Sequence, residues 1–292
     1  MAAGPTPMMA EQVRAAGKAK LIGIMMPRDG LFGPVSLGVA ITDAARAVGY
    51  ATTNVAVPQD PDMMTEVIRE LHRLRVEGLV IVHSTTGVDA MMQALFSDFP
   101  MSFISGGELA PGQTGVCIAQ RTAARQVTQH LFDVGCTRVA HVAGPDDWYD
   151  AHERVTGWKE VVAGRDGCAL LRADSWGSEA AYEVSKRLFS DESRPDGIFA
   201  ANDLMALGVL RAAKEAGLDP PQQVAVAGFD NIAGSAYFQP ALTSVEQPFA
   251  EAGRSSVDML LSAIRGDSGG VVTYTPRMVT RASTSEFTGR PS

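Results

Sequence analysis

Apolar and polar positions along this chain follow two alternating periods. Short β-rich apolar runs are separated by longer stretches in which apolar residues recur every three or four positions, the pattern of parallel strands joined by crossover helices. One set of runs is Leu21 to Met26, Ala51 to Val57, Gly78 to His83, Met101 to Ser105 and Gly115 to Ala119. A second is Val139 to Ala143, Ala169 to Ala173, Gly197 to Ala201 and Val224 to Gly228. Between runs, Met63, Met64, Val67, Ile68, Leu71 and Leu74 form the stripe of a helix lying on a sheet. Gly49, Gly78, Gly135 and Gly217 follow helical stretches, where glycine takes the left-handed conformation that ends a helix. Two strand sets predict two doubly wound α/β lobes with parallel sheets, which bind ligands at the carboxyl ends of their strands.

Composition agrees with that architecture. A chain of 292 residues exceeds one ordinary core and suits two, and 46% hydrophobic residues suffice to fill them. Against 33 acidic side chains stand 25 basic ones, a net charge of −8, so this chain is a poor electrostatic match to a phosphate backbone. Contact with DNA would need another segment. Cys117, Cys136 and Cys168 form no C-x-x-C pair, which argues against a disulfide framework or thiolate zinc site and for a reducing compartment. Neither an apolar run of about 18 to 20 residues nor a signal-like start at Met1 to Ala10 is present, so a cytoplasmic protein without membrane contact is expected. Met8 to Ala19 reads as a weakly helical linker, and Thr288 to Ser292 as a frayed tail.

Several motifs suggest catalysis and fail on context. Gly266 to Gly270 spells GDSGG, the surroundings of a trypsin-like nucleophile, but an α/β chain with no matching histidine leaves it a polar turn between helix and strand. Tyr182 and Lys186 have Y-x-x-x-K spacing, yet the first strand leads into Pro27, Arg28, Asp29 and Gly30 rather than a G-x-G-x-x-G turn. An exposed pair one helical turn apart is the expectation. His72, His83, His130, His141 and His152 never stand at H-x-x-x-H spacing; His83 and His141 read as satisfied strand residues. The methionine pairs 25/26, 63/64 and 91/92 read as core. No enzyme, metal or cofactor is expected.

Polar residues at the ends of strands form a different constellation. Asn202 and Asp203 follow GIFAA, Asp230 and Asn231 follow VAVAGF, Arg154 lies in AHERVTGW, and Gln247 closes LTSVEQ. A guanidinium, a carboxylate and amides converging on one cleft, with Trp148, Trp176 or Phe32 as walls, would suit a ligand rich in hydroxyls. Asp203 is expected to act as a helix cap or turn residue, and Asp230 to bind ligand.

Ala200 to Gly217 (AANDLMALGVLRAAKEAG), Val224 to Ile232 (VAVAGFDNI), Leu242 to Gly253 (LTSVEQPFAEAG) and Arg154 to Trp158 (RVTGW) resemble the effector-binding core of the lactose/galactose repressor (LacI/GalR) family of transcription regulators. The resemblance spans about residues 18 to 285. It implies a periplasmic-binding-protein-like fold of type I, with two lobes joined by three crossovers near Ala119, Gln247 and Pro276. The lobes would comprise residues 21–119 with 248–276, and 120–247 with 277–292, after a remnant of a hinge helix in 1–20 that ordinarily follows a DNA-binding headpiece. Arg154, Asn202 and Asp230 match the family's ligand anchors. Trp176 matches an aromatic position that packs on ligand, Gln247 and Phe249 match the second crossover, and Phe32, Gly33 and Pro34 match the first-lobe loop facing the cleft.

Departures concentrate in the first lobe. Arg28 to Phe32 (RDGLF) lacks D-x-x-N-P-F, Ser105 stands where aspartate is frequent, and Ala119 with Gln120 replaces Asp-Asn. The expected function is a ligand-gated switch: a small sugar or sugar-like effector bridges both lobes and changes the operator affinity of a homodimer, with DNA touched only by a headpiece that this chain does not contain. A periplasmic sugar-binding protein for transport or chemotaxis is the rival.

Overall fold

A computed structural model describes residues 19–27, 30–56, 61–82, 96–97, 99–190, 194–267 and 269–289. Most of the expected linker, the ends of two apolar runs at Val57 and His83, the pair Met91/Met92, Arg28 with Asp29, Ser268 and Arg290 to Ser292 lie outside the described residues.

Two separate parallel sheets carry the chain. Strands β1 (Leu21–Met26), β2 (Ala51–Ala56), β3 (Gly78–Val82), β4 (Met101–Ser105), β5 (Gly115–Ile118) and β11 (Val271–Tyr274) form a six-stranded sheet in the order β11-β5-β4-β3-β1-β2. Strands β6 (Val139–Ala143), β7 (Leu170–Arg172), β8 (Gly197–Ala200) and β9 (Ala225–Ala227) form a four-stranded sheet in the order β7-β6-β8-β9. Every residue of β3 and β6 is buried, because helices cover both faces of a doubly wound sheet and leave its central strands no wet side.

Helices α1 (Phe32–Ala47), α2 (Pro61–Arg73) and α7 (Phe249–Arg265) pack on the larger sheet. Helices α3 (Gln120–Asp133), α4 (Tyr149–Val162), α5 (Ser178–Phe189) and α6 (Asp203–Glu215) flank the smaller one, with the single turn α8 (Ala282–Ser285) against β9. In the smaller lobe, two helix pairs meet through a glycine at backbone contact. A methyl at Gly157 of α4 would lie 2.3 Å from the Arg121 carbonyl of α3, and one at Gly208 of α6 would lie 2.1 Å from the Ser178 carbonyl of α5.

The chain passes between sheets three times: between Ile118 and Gln120, between Glu246 and Phe249, and between Tyr274 and Arg277. Strands β10 (Ser244–Glu246) and β12 (Arg277–Val279) pair antiparallel beside two of those passages. They and β11 are absent from the two sets of runs read in the sequence. Each has only three or four residues, and β11 is an edge strand whose Val271 is half exposed, so no sustained apolar run marks it.

Candidate functional site

The loops at the carboxyl ends of both sheets face one another. From the larger sheet come Ser105 at the end of β4, Gly106 beyond it, and the start of α1 after β1; from the smaller comes α4 after β6. A cleft open to solvent lies between them. Pro34, Leu37, Val82, Ile104, Ile118 and Phe249 make its first-lobe side apolar, while Gln120, Gln247, Asp150 and Ser105 supply its polar groups.

Behind that polar side runs a chain of hydrogen bonds. Arg154 Nε donates to Gln120 Oε1 at 3.0 Å, Gln120 Nε2 donates to Gln247 Oε1 at 2.7 Å, and Gln247 Nε2 donates to Asp230 Oδ1 at 2.7 Å. All four side chains are nine-tenths buried or close to it. A guanidinium only donates and a carboxylate only accepts, so the two ends set the orientation of both amides between them. Gln120 begins α3 after the first passage and Gln247 follows β10 at the second. The chain thus ties two crossovers to two charged groups.

Arg154 is held from every side. Its Nη1 donates to the Ala201 carbonyl at 2.6 Å, and its Nη2 lies 3.9 Å from Asp150, one helical turn earlier, and 4.0 Å from Asp230. Its planar head lies 3.9 Å from the centre of the Phe229 ring and 5.5 Å from that of Trp176, so aromatic faces replace the water that burial removed. Trp148 meets Trp176 edge to face at 5.7 Å, and the buried Trp176 indole N–H has no acceptor among the described residues.

The loop bearing Asp230 is a strained turn pinned by its neighbours. Asp230 and Asn231 adopt φ of +99° and +49°, which short polar side chains tolerate best among non-glycine residues. Asp230 N donates to the Val245 carbonyl, Asn231 N to Ser244 Oγ and Ile232 N to Asp203 Oδ2. Asp203 also accepts from Ser235 and Ser244. Gly228 belongs to the same design, since a methyl there would lie 2.3 Å from Asp203 Oδ1.

Burial pushes the Asp230 carboxyl up to about 7; the Arg154 charge opposes the rise, Asp203 adds to it, and the Gln247 hydrogen bond opposes it. Burial likewise raises Asp203, against the pull of its three hydrogen bonds. His141, wholly buried, donates from Nδ1 to the Phe199 carbonyl at 2.9 Å; burial drives it down to about 3, so it is a neutral residue beside Arg154 rather than a second cation.

Of the residues singled out in the sequence, Gly33, Pro34, Ser105, Gln247 and Phe249 line the cleft. Phe32, partly exposed, meets Phe249 edge to face at 6.0 Å. Arg154, Asp230 and Trp176 sit behind the lining. Asn202 and Asp203 divide their work otherwise than expected. Asn202 is the cap of α6, its Oδ1 accepting from Met205 N and its Nδ2 donating to the Trp176 carbonyl. Asp203 is no cap but the buried hub of the Asp230 turn, because its carboxylate reaches sideways to the 229–235 segment. Sequence reasoning did not single out Asp150 as a site residue. Its spacing of four from Arg154 on α4 was the available signal.

Among known proteins, the periplasmic-binding-protein-like domain family matches residues 128–284. The HTH-type transcriptional repressor PurR of Aliivibrio fischeri (strain MJ11) is 29% identical over 243 residues, covering 80% of this chain and 72% of that protein. The ribose operon repressor of Halalkalibacterium halodurans is 28% identical over 247 residues, covering 84% and 72%. The crystal structure of the lac repressor dimer bound to operator and the anti-inducer ONPF superposes with a TM-score of 0.86 at 25% identity, covering 96% of this chain and 86% of that one.

Proposed function

The chain belongs to the periplasmic-binding-protein-like domain family, as the effector-binding core of a LacI-type transcriptional repressor, and on that premise we propose that it senses a small sugar or sugar-like molecule in the cleft between its lobes. The lobes comprise residues 21–119 with 248–276, and 120–247 with 277–292. The observation that carries the reading is the Arg154–Gln120–Gln247–Asp230 chain. A ligand that takes up hydrogen bonds of Asp230 or Arg154 alters groups bonded directly to two crossovers, and so favours one lobe angle over another. Relatives of this kind are repressors rather than enzymes, and the role assigned here involves binding without chemistry. No helix among the described residues is long and apolar enough to cross a membrane; the likeness to transcriptional repressors is what supports placing the protein in the cytoplasm.

A thermal-shift panel of pentoses, hexoses, disaccharides, polyols, nucleosides and purines tests the reading. A ligand at roughly 100 times its Kd adds about 2.7 kcal/mol and raises the midpoint by a few degrees. The shift is expected to vanish in Arg154→Lys, whose single ammonium cannot reproduce the fork that bonds Gln120 and Ala201 together. An undiminished shift in that variant moves the site elsewhere.

The switch also needs two copies, because two-fold operators are read by two-fold dimers. Leu204 and Leu207 on α6, and Tyr237 at 87% exposure, offer an apolar surface on the second lobe. Sedimentation is expected to show a dimer for the parent and a monomer for Leu207→Glu/Tyr237→Glu. A monomeric parent at high concentration would rule out this part.

A further inference from the structure

Beside the cleft the two lobes touch through a pair of glycines. Gly106 and Gly107 follow β4 on the first lobe, and Tyr149 and Asp150 open the first turn of α4 on the second. A methyl group at Gly106 would overlap Asp150 Oδ1 and lie 2.9 Å from Gln120 Cγ. One at Gly107 would lie 2.5 Å from Cε1 of the Tyr149 ring and 2.8 Å from its hydroxyl. Neither glycine has a positive φ, so the backbone at both positions would accept a side chain. What leaves no room for one is the facing lobe.

We infer that Gly106 and Gly107 set the angle at which the lobes rest without a ligand: bare backbone lets the first turn of α4 seat against the loop after β4, and a side chain there holds the lobes further apart. Both sides of this seat are fixed within their own lobes. Gly107 N donates to Ser105 Oγ at 3.2 Å, and the Gly106 carbonyl accepts from Gln120 N at 3.3 Å, just beyond the first passage between sheets. Opposite, α4 cannot retreat, because Gly157 holds it at backbone contact with α3 and Trp148 before its first turn is packed edge to face on Trp176. Packed elements shift as units, so the soft response to an added carbon is rotation of one lobe about the three passages. A second loop of the first lobe meets the other lobe as well, since Leu31 packs against the core cluster that contains Trp148 and Trp176. A ligand that favours a wider angle works against this seat, and one that favours the resting angle is helped by it.

Double electron–electron resonance reads the lobe separation directly. Spin labels go at Ala110 on the loop after β4 and at Lys159 on α4, both exposed, with Cys168 replaced by serine; Cys117 and Cys136 are buried. With no ligand added, Gly106→Ala/Gly107→Ala is expected to lengthen the mean distance by about 2 Å, because each new carbon needs about 3.5–4.0 Å from its neighbours. Gly270→Ala, whose added carbon meets nothing within 4 Å, is expected to leave the distance unchanged. Gly107→Ala alone is expected to lengthen it, and Gly107→Ala/Tyr149→Ala to restore the parent value by removing the ring that the new carbon meets. Should the double alanine variant not fold, this second pair carries the test.

A distance that survives the added alanines overturns the inference, for then Asp150 and Tyr149 turn aside and the lobes stay where they are. So does a lengthening that Tyr149→Ala fails to reverse, which would mean that the substitution disturbs its own loop rather than the lobe it faces. The measurement needs no effector, so its outcome is separate from the reading of the cleft as a sugar site.

Discussion

Asp230→Asn is expected to be more stable than the parent at pH 8, by about 4 kcal/mol, and to match it near pH 4. Burial holds the Asp230 carboxyl at about 7 against an ordinary 3.8, with Arg154 only partly offsetting the loss of solvent. The folded protein therefore keeps this proton up to about pH 7, while the unfolded chain releases it near pH 4. Stability falls as pH rises through that window and is level above it, because each tenfold difference in proton affinity is about 1.4 kcal/mol. Asparagine removes the titration, keeps an acceptor for Gln247 Nε2 and tolerates φ of +99°. Urea unfolding of both proteins at several pH values from about 4 to 8 measures the difference, in which other titrating groups cancel. Parallel curves would show that Asp230 ionises as an ordinary carboxylate. The same substitution is expected to weaken effector binding by about 2–3 kcal/mol, since a neutral amide accepts from hydroxyls less strongly than a carboxylate does. On the proposed reading of the cleft, stability and ligand affinity are opposed at this residue.

Gly208→Ala is expected to destabilise the second lobe by about 3 kcal/mol, a large effect for one methyl group. The new carbon would stand 2.1 Å from the Ser178 carbonyl oxygen and 2.9 Å from Tyr182 N, both main-chain atoms of the facing helix that cannot rotate away. Helices α5 and α6 would separate, loosening the buried Ala181, Met205 and Val209 between them. Gly270→Ala is the control, since no atom lies within 4 Å of its added carbon; a change within about 0.5 kcal/mol is expected there. Chemical denaturation of the two variants decides the matter, and equal midpoints would mean that the helix pair can slide to accept a methyl group.

Much of the fold could be read from the chain because its signals are local. The central strands are apolar runs that end up buried on both faces, and their residues need no partner to declare themselves. The α1 and α2 stretches and the glycine after α6 carry their own period and punctuation. Short segments whose only reason to be strands is a distant neighbour were not legible. Val271–Tyr274 extends because it pairs in register with Gly115–Ile118, some 150 residues earlier, and Ser244–Glu246 because Arg277–Val279 lies beside it.

The site divides along the same line. Arg154, Asp230 and Gln247 stood out as polar groups at strand ends, and the V-A-G-F-D string reflects a local requirement: glycine where Asp203 presses on the backbone, then residues that accept positive φ. That Asn202 would cap α6 while Asp203 reached across to Ser235 and Ser244 depends on which side chain the turn of the chain directs inward. Gln120 appeared in the sequence only as a departure from a family pattern, and Asp150 not at all. What the sequence determined by itself is the alternation of strands and helices, the two-lobe architecture it generates and the polar residue types available at the strand ends. Only the tertiary structure decided which neighbours Arg154 would meet: Gln120, the Ala201 carbonyl, Asp150 and Asp230. A charge is worth what surrounds it, and Gln120, Asp150, Arg154, Asp230 and Gln247 come within hydrogen-bonding or ion-pair distance only because the fold of the second lobe and the passage after β10 bring four separate places in the chain together.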